Sequence, residues 1–162
     1  MKRVFLSVIT YNSHESTYAC LQSLDALTLH EVALEIYVVD NASKEPFSLH
    51  GKTYKHIVPT VIHSKINTGF SGGHNIVIRK ALEEGADYVL VLNNDVTVDT
   101  HLVQALVEQA ESDPQIGIVC PKIYFTAGSE FHNDRYTAKE RGKVIWYAGG
   151  EMDWQNLIGL LS

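Results

Sequence analysis

Val4-Phe5-Leu6-Ser7-Val8-Ile9 is a short, β-rich apolar run that turns polar at once in Thr10-Tyr11-Asn12-Ser13. A strand with one wet face alternates apolar and polar residues, and this run does not. It reads as a strand buried on both faces, which belongs in a parallel sheet. Working outward, Asn12 stands three residues before Glu15, a capping-box spacing that opens a helix. Cys20, Leu21, Leu24 and Leu27 give that helix one apolar face. Residues 34–39 form a second buried strand that stops at Asp40. The stretch 41–54, with Pro46 and Gly51, reads as loop or short helix, and 58–62 as a weaker strand.

Gly69 to Gly73 is a glycine-rich turn, followed by a helix over 75–84 that Gly85 caps. Residues 88–92 are the third strong strand and end in Asn93-Asn94-Asp95. Asp99 then caps a helix whose apolar face is Leu102, Val103, Leu106, Val107 and Ala110. Residues 116–120 predict another strand, 128–143 a polar stretch, and 144–147 a last strand. Strand and helix alternate throughout, so the sequence predicts an α/β, Rossmann-like sheet with helices on both faces, in one domain over 1–162. The apolar run Leu157-Ile158-Gly159-Leu160-Leu161 predicts an element that is cut off or packed.

Composition narrows the function. With 13 Lys and Arg against 19 Asp and Glu, the formal charge is −6, so no broad positive field awaits a nucleic acid. No apolar run approaches the roughly 18 residues of a membrane span. Lys2 and Arg3 precede an apolar stretch too short for a secretory leader, which predicts a cytoplasmic protein. Cys20 and Cys120 fit no disulfide framework or zinc ribbon and read as buried thiols.

Ligands of an open α/β sheet sit beyond the carboxyl ends of its strands. Four clusters leave those ends: Thr10-Tyr11-Asn12, Asp40-Asn41-Ala42-Ser43, Asn67 to Asn75, and Asn93-Asn94-Asp95. A dinucleotide fingerprint is excluded, because residues 10–17 contain no glycine. Gly51-Lys52-Thr53 ends like a P-loop, but Pro46 stands at its first glycine. Asp40 has two readings: a turn carboxylate bonding its own backbone, or an acceptor for the N3–H of uracil or thymine. Asp95 is either a turn cap or a hard oxygen for Mg²⁺ or Mn²⁺, which takes few protein carboxylates and completes its shell with phosphate and water. Gly72 and Gly73 permit a tight turn or a close backbone approach to a ligand. Tyr11 and Phe70 read either as stacking on a base or as core. Among eight histidines only His74 lies inside a motif.

Taken together, Ser7-Val8-Ile9-Thr10-Tyr11-Asn12, Val38-Val39-Asp40-Asn41-Ala42-Ser43, Asn67-Thr68-Gly69-Phe70-Ser71-Gly72-Gly73-His74-Asn75 and Val91-Leu92-Asn93-Asn94-Asp95 resemble the family-2 glycosyltransferases, and within them the rhamnosyltransferase-like branch. Pro121-Lys122-Ile123-Tyr124 and Tyr147-Ala148-Gly149-Gly150 extend the match. The resemblance implies a GT-A fold, an inverting transfer from a UDP- or dTDP-sugar to a saccharide or lipid-linked saccharide, and a place in cell-surface polysaccharide synthesis. It implies that Thr10, Tyr11, Asn12 and Asp40 hold base and ribose, and that Asn67, Gly69, Phe70, Gly73, Asn75 and Asn94 line the donor pocket. Asn93-Asn94-Asp95 stands where the family's metal motif has an Asp first, so Asp95 is the implied ligand of a Mg or Mn cation. A general base is implied downstream, and Glu130, Asp134 and Glu140 read instead as solvated loop charges. The chain thus reads as a donor-binding part, incomplete on its C-terminal side, with any tie to the inner membrane face made by a further segment or partner. Two other readings stand beside it: a non-catalytic nucleotide-sugar-binding remnant, and a sugar nucleotidyltransferase, whose Arg-containing glycine loop is missing after the first strand.

Overall fold

The computed structural model describes residues 1–153, 155 and 158–161. The elements run β1 (Lys2–Thr10), α1 (His14–Leu24), β2 (Val32–Asp40), β3 (Thr60–His63), α2 (Gly69–Glu84), β4 (Tyr88–Asn93), α3 (Leu102–Glu111), β5 (Ile123–Tyr124), β6 (Ile145–Tyr147), β7 (Gly150–Asp153) and β8 (Ile158–Leu161). The chain divides into two compact units, Met1–Ala105 and Leu106–Ser162, with α3 crossing the boundary.

The first unit is built on a parallel sheet of order β3-β2-β1-β4. The apolar run that opens the chain is its centre, and both faces are covered. Leu6 and Val8 pack with Ile36 and Val38 against Cys20, Leu21 and Leu24 of α1 and against Phe47. The alternate residues, Phe5 in β1 with Tyr37 and Val39 in β2, pack against Val77 and Ala81 of α2. Each side chain buried this fully contributes roughly 1.5–3 kcal/mol. Two-sided burial is why these strands show no alternation in sequence. The register aligns the strand ends: Thr10 pairs with Asp40, Asp40 with His63, and Ile9 with Asn93. One rim therefore collects everything that leaves the sheet.

The long segment between β2 and β3 has little regular structure and is tied down by two carboxylates. Asp40 accepts the backbone N–H groups of Ser43 at 3.0 Å and Phe47 at 2.9 Å. Asp25, 6% exposed, accepts those of Lys55, His56 and Ile57 at 2.7–3.1 Å. These bonds hold the Asp25 carboxyl below its ordinary range, the Lys55 N–H first among them.

The second unit carries two antiparallel pairs, β5 with β6 and β7 with β8. Phe125 and Phe131 meet edge to face at 5.1 Å. No helix among the described residues is long and apolar enough to cross a membrane.

Several local expectations change. The glycine-rich turn is the first turn of α2, which starts at Gly69 rather than Asn75. Ser13, not Asn12, is the cap of α1, and it makes no side-chain cap bond. Asn12 sits at φ 52° and its Oδ1 accepts Lys44 N–H at 2.8 Å, so its side chain is committed elsewhere. Residues 116–120 form no strand; Ile118 is 87% exposed, and Pro121 follows with no N–H to give a ladder. Cys20 is buried as expected, whereas Cys120 is exposed. Glu130 is no solvated charge: it is buried and accepts Gly128 N–H at 2.8 Å and Gly142 N–H at 2.5 Å. Burial opposes its charge, but those bonds prevail and its pKa lies below the ordinary value. Leu157, where the terminal apolar run begins, lies outside the described residues; Ile158–Leu161 is β8.

Candidate functional site

A cleft of about 380 Å³ opens on the rim of the first unit. It is lined by Ile9, Tyr11, Ser13, Asn41, Asn67, Gly69, Phe70, His74, Leu92, Asn93, Asn94 and Asp95. Tyr11, Asn67, Gly69, Phe70, Asn94 and Asp95 of the expected site residues thus meet in one place. Tyr11 is 49% and Phe70 60% exposed, which separates both from the core.

Thr10, Asn12, Asp40, Gly73 and Asn75 are not on the cleft wall. Thr10 is buried in β1. Gly73 is an intimate helix–strand contact, since a Cβ there would stand 2.7 Å from Ile9 Cδ1. Asn75 is exposed on α2. Asp40 is 2% exposed, and its acceptor positions are filled by the Ser43 hydroxyl and N–H, the Phe47 N–H and His63 Nδ1 at 3.2 Å. Burial raises its pKa, but the bonds outweigh burial and hold it below the usual aspartate range.

Two turns of the rim are clasped together. Asn12 N–H donates to Ser43 Oγ at 2.9 Å while Asn12 Oδ1 takes Lys44 N–H, and Asn41 N–H donates to Thr10 O at 2.9 Å. Asn41 also reaches across to the α2 side. Its Nδ2 donates to Asn67 Oδ1 at 2.9 Å and Gly69 O at 3.1 Å, and its Oδ1 accepts Thr68 N–H at 3.0 Å. With both donors and its acceptor used, it fixes the cleft wall in place.

On the opposite wall, Asn94 Nδ2 donates to Thr17 Oγ1 at 2.9 Å and Ser13 O at 3.3 Å, which leaves its Oδ1 as the unengaged end. Asp95 is exposed and makes no hydrogen bond or ion pair among the described residues. Beneath them the Cys20 thiol lies 3.7 Å from Asn93 O. Burial, reinforced by the Asp95 charge, pushes that thiol up to about 12, so it stays a neutral donor.

Sequence reasoning missed three lining residues of consequence: Ser13, Asn41 and His74. Asn41 and His74 stood inside quoted motifs, and their position in those motifs was the available signal. His74 is 2% exposed, with Nδ1 2.8 Å from Ser7 Oγ, and burial lowers its pKa.

The cleft is a strand-end ligand site with one free carboxylate, two neighbouring asparagines and no Lys or Arg among its described lining residues. Fold and site define an α/β protein of the GT-A type, and solved structures agree. S. aureus TarS 1–349 aligns with TM-score 0.55 at 22% identity, over 78% of this chain and 41% of that 1–349 chain. The same protein in complex with UDP, and in complex with UDP-GlcNAc, aligns with TM-score 0.54 at 21% identity. The chain spans about two fifths of the length of those structures. No curated protein matches it. The family model for glycosyl transferase family 2 matches residues 6–158, so the chain belongs to that family.

Proposed function

We propose that the cleft binds the diphosphate and nucleoside of a UDP- or dTDP-sugar, and that the chain is the donor-binding part of an inverting glycosyltransferase. The acceptor in this reading is a saccharide or lipid-linked saccharide of a cell-surface polysaccharide. The observation that carries it is the Asp95 carboxylate, without a hydrogen bond or ion pair among the described residues, in a strand-end cleft whose Asn41 and Asn67 side chains are already bonded to each other. Family membership and the UDP and UDP-GlcNAc complexes of TarS support the same ligand class. The four motifs similar to rhamnosyltransferases favour a deoxyhexose donor.

The donor set fits a divalent cation. Asp95 would give one hard oxygen and Asn94 lines the same cleft, while a cation of this kind draws most of its remaining shell from phosphate and water. Bound there, it would neutralise charge on the diphosphate leaving group. Tyr11 and Phe70 offer flat, exposed surfaces for a base. Asp40 shapes the wall from behind, through Ser43 and the adjoining Asn41. Asp95 is the only carboxylate among the described lining residues, which favours donor binding over complete transfer by this chain.

Calorimetry with UDP, dTDP, CDP and ADP, with and without Mn²⁺, tests the reading. UDP or dTDP should bind best, Mn²⁺ should strengthen it, and Asp95→Asn should abolish the Mn²⁺ effect. No binding of any nucleotide would overturn the proposal. A loss confined to UDP and dTDP in Asp40→Asn would give Asp40 the base-reading role instead.

A further inference from the structure

The cleft wall contains a polar atom with nothing to bind. His74 Nε2 is buried and has no hydrogen-bond partner among the described residues. The Phe70 ring covers the imidazole edge to face, with centroids 4.5 Å apart and planes at 71°. Two arrangements of the ring proton are open to this pair. Ser7 Oγ is buried and has His74 Nδ1 as its one partner among the described residues. If Nδ1–H donated to Oγ, the serine proton would be stranded and so would the Nε2 lone pair. If the serine hydroxyl donates to Nδ1, Nε2–H and the Oγ lone pairs are left over, so each arrangement strands one donor and one acceptor. An unsatisfied buried donor is costly in either case, and the second arrangement is the one whose stranded donor faces a cleft where a nucleotide oxygen would satisfy it. Nε2–H is then a donor waiting for an oxygen.

What covers it is easily moved. Phe70 is 60% exposed, sits in the first turn of α2 next to Gly69 at φ +71°, and among the described residues has His74 as its one aromatic ring contact. Rotamer changes of exposed side chains take picoseconds to nanoseconds.

We propose that Phe70 swings off His74 when the cleft fills, and that His74 Nε2–H then donates to an oxygen of the bound nucleotide. The inference rests on the nucleotide-sugar reading above and adds to it a neutral, single-proton donor. Such a donor accepts carbonyl, hydroxyl or phosphate oxygen and rejects a second donor. Burial, which disfavours the imidazolium, keeps it neutral.

Long-range ¹H–¹⁵N spectra of the ligand-free chain should show the Nε2–H tautomer; the Nδ1–H tautomer would overturn the inference. Calorimetry then compares UDP and uridine on the parent, His74→Phe and His74→Gln. His74→Phe should weaken UDP about three- to tenfold, the loss of one neutral hydrogen bond. His74→Gln should recover part of it, because its amide nitrogen reaches toward the Nε2 position. A loss seen with uridine as well puts the accepting oxygen on the nucleoside, and a loss with UDP alone puts it on the diphosphate. If His74→Phe fails to fold, Ser7→Ala serves, since freeing Nδ1 unfixes the tautomer and should weaken UDP severalfold. A parent that binds neither UDP nor dTDP sinks the nucleotide reading and this inference together. Unchanged UDP affinity in the folded His74 or Ser7 variant, with a parent that binds, sinks this inference alone.

Discussion

Asp40 shows how one residue can serve structure where the sequence suggests chemistry. Its carboxylate is saturated by the loop it organises. Asp40→Asn replaces one acceptor oxygen by a donor, facing N–H groups that have no other partner. Urea unfolding at pH 7 should show a loss of about 1–3 kcal/mol. The folded carboxyl ionises below the unfolded one. The stability it adds is therefore whole above the ordinary aspartate range and drains away as pH falls through the lower folded value. The difference between parent and variant should accordingly narrow between pH 5 and pH 3; a constant difference would argue against it. Single residues were legible where their type and strand-end position point outward, as with Asp95 and Asn94, while Phe70 stayed open between stacking and core. They were not legible where the role depends on distant partners. Nothing local says that Asn41 binds Asn67, or that His74 binds Ser7.

At the level of elements, α2 lies so close to β1 that position 73 has no room for a methyl group. A Cβ at Gly73 would meet Ile9 Cδ1 at 2.7 Å and Cγ1 at 3.2 Å. Alanine is the better helix former by about 1 kcal/mol, but crowding of this kind typically costs about 1–3 kcal/mol. Gly73→Ala should thus lower the melting temperature, and Ile9→Val, which removes Cδ1, should restore part of it. Additive effects of the two changes would show that they do not share this contact. β1 and β2 were legible because two-sided burial leaves an unmistakable apolar run; β4 carries the same kind of run although Val89 and Val91 are exposed. The start of α2 was not, because glycines at 69, 72 and 73 look like a turn until Thr68 is seen crowding Gly72, and Ile9 crowding Gly73. β7 and β8 are four residues each and pair with one another, so neither carries a pattern long enough to read.

Over the whole chain, buried apolar side chains are concentrated in the first 107 residues: among the described residues, the core runs from Val4 to Val107. Native-state hydrogen exchange should follow that distribution. Amides of β1 and β2 should exchange only through global unfolding, and those of β5 and β6 through much smaller openings. Equal protection in both would contradict it. Ligand linkage gives a second global measure: UDP at a hundred times its Kd should add about 2.7 kcal/mol to the unit that binds it. The clasped rim bears on speed rather than strength. Asn12 and Ala42 hold left-handed backbone, at φ 52° and 64°, and the bonds of Asn12 to Ser43 and Lys44 keep both turns in that shape before any ligand arrives. An encounter then needs no loop to fold, and little freedom is left to lose. Stopped-flow traces should be single exponentials with rate constants linear in ligand concentration, on the order of 10⁵–10⁷ M⁻¹s⁻¹. Rim variants such as Asn12→Ala should add a slow, concentration-independent phase, as the turns begin to search for the shape they now keep.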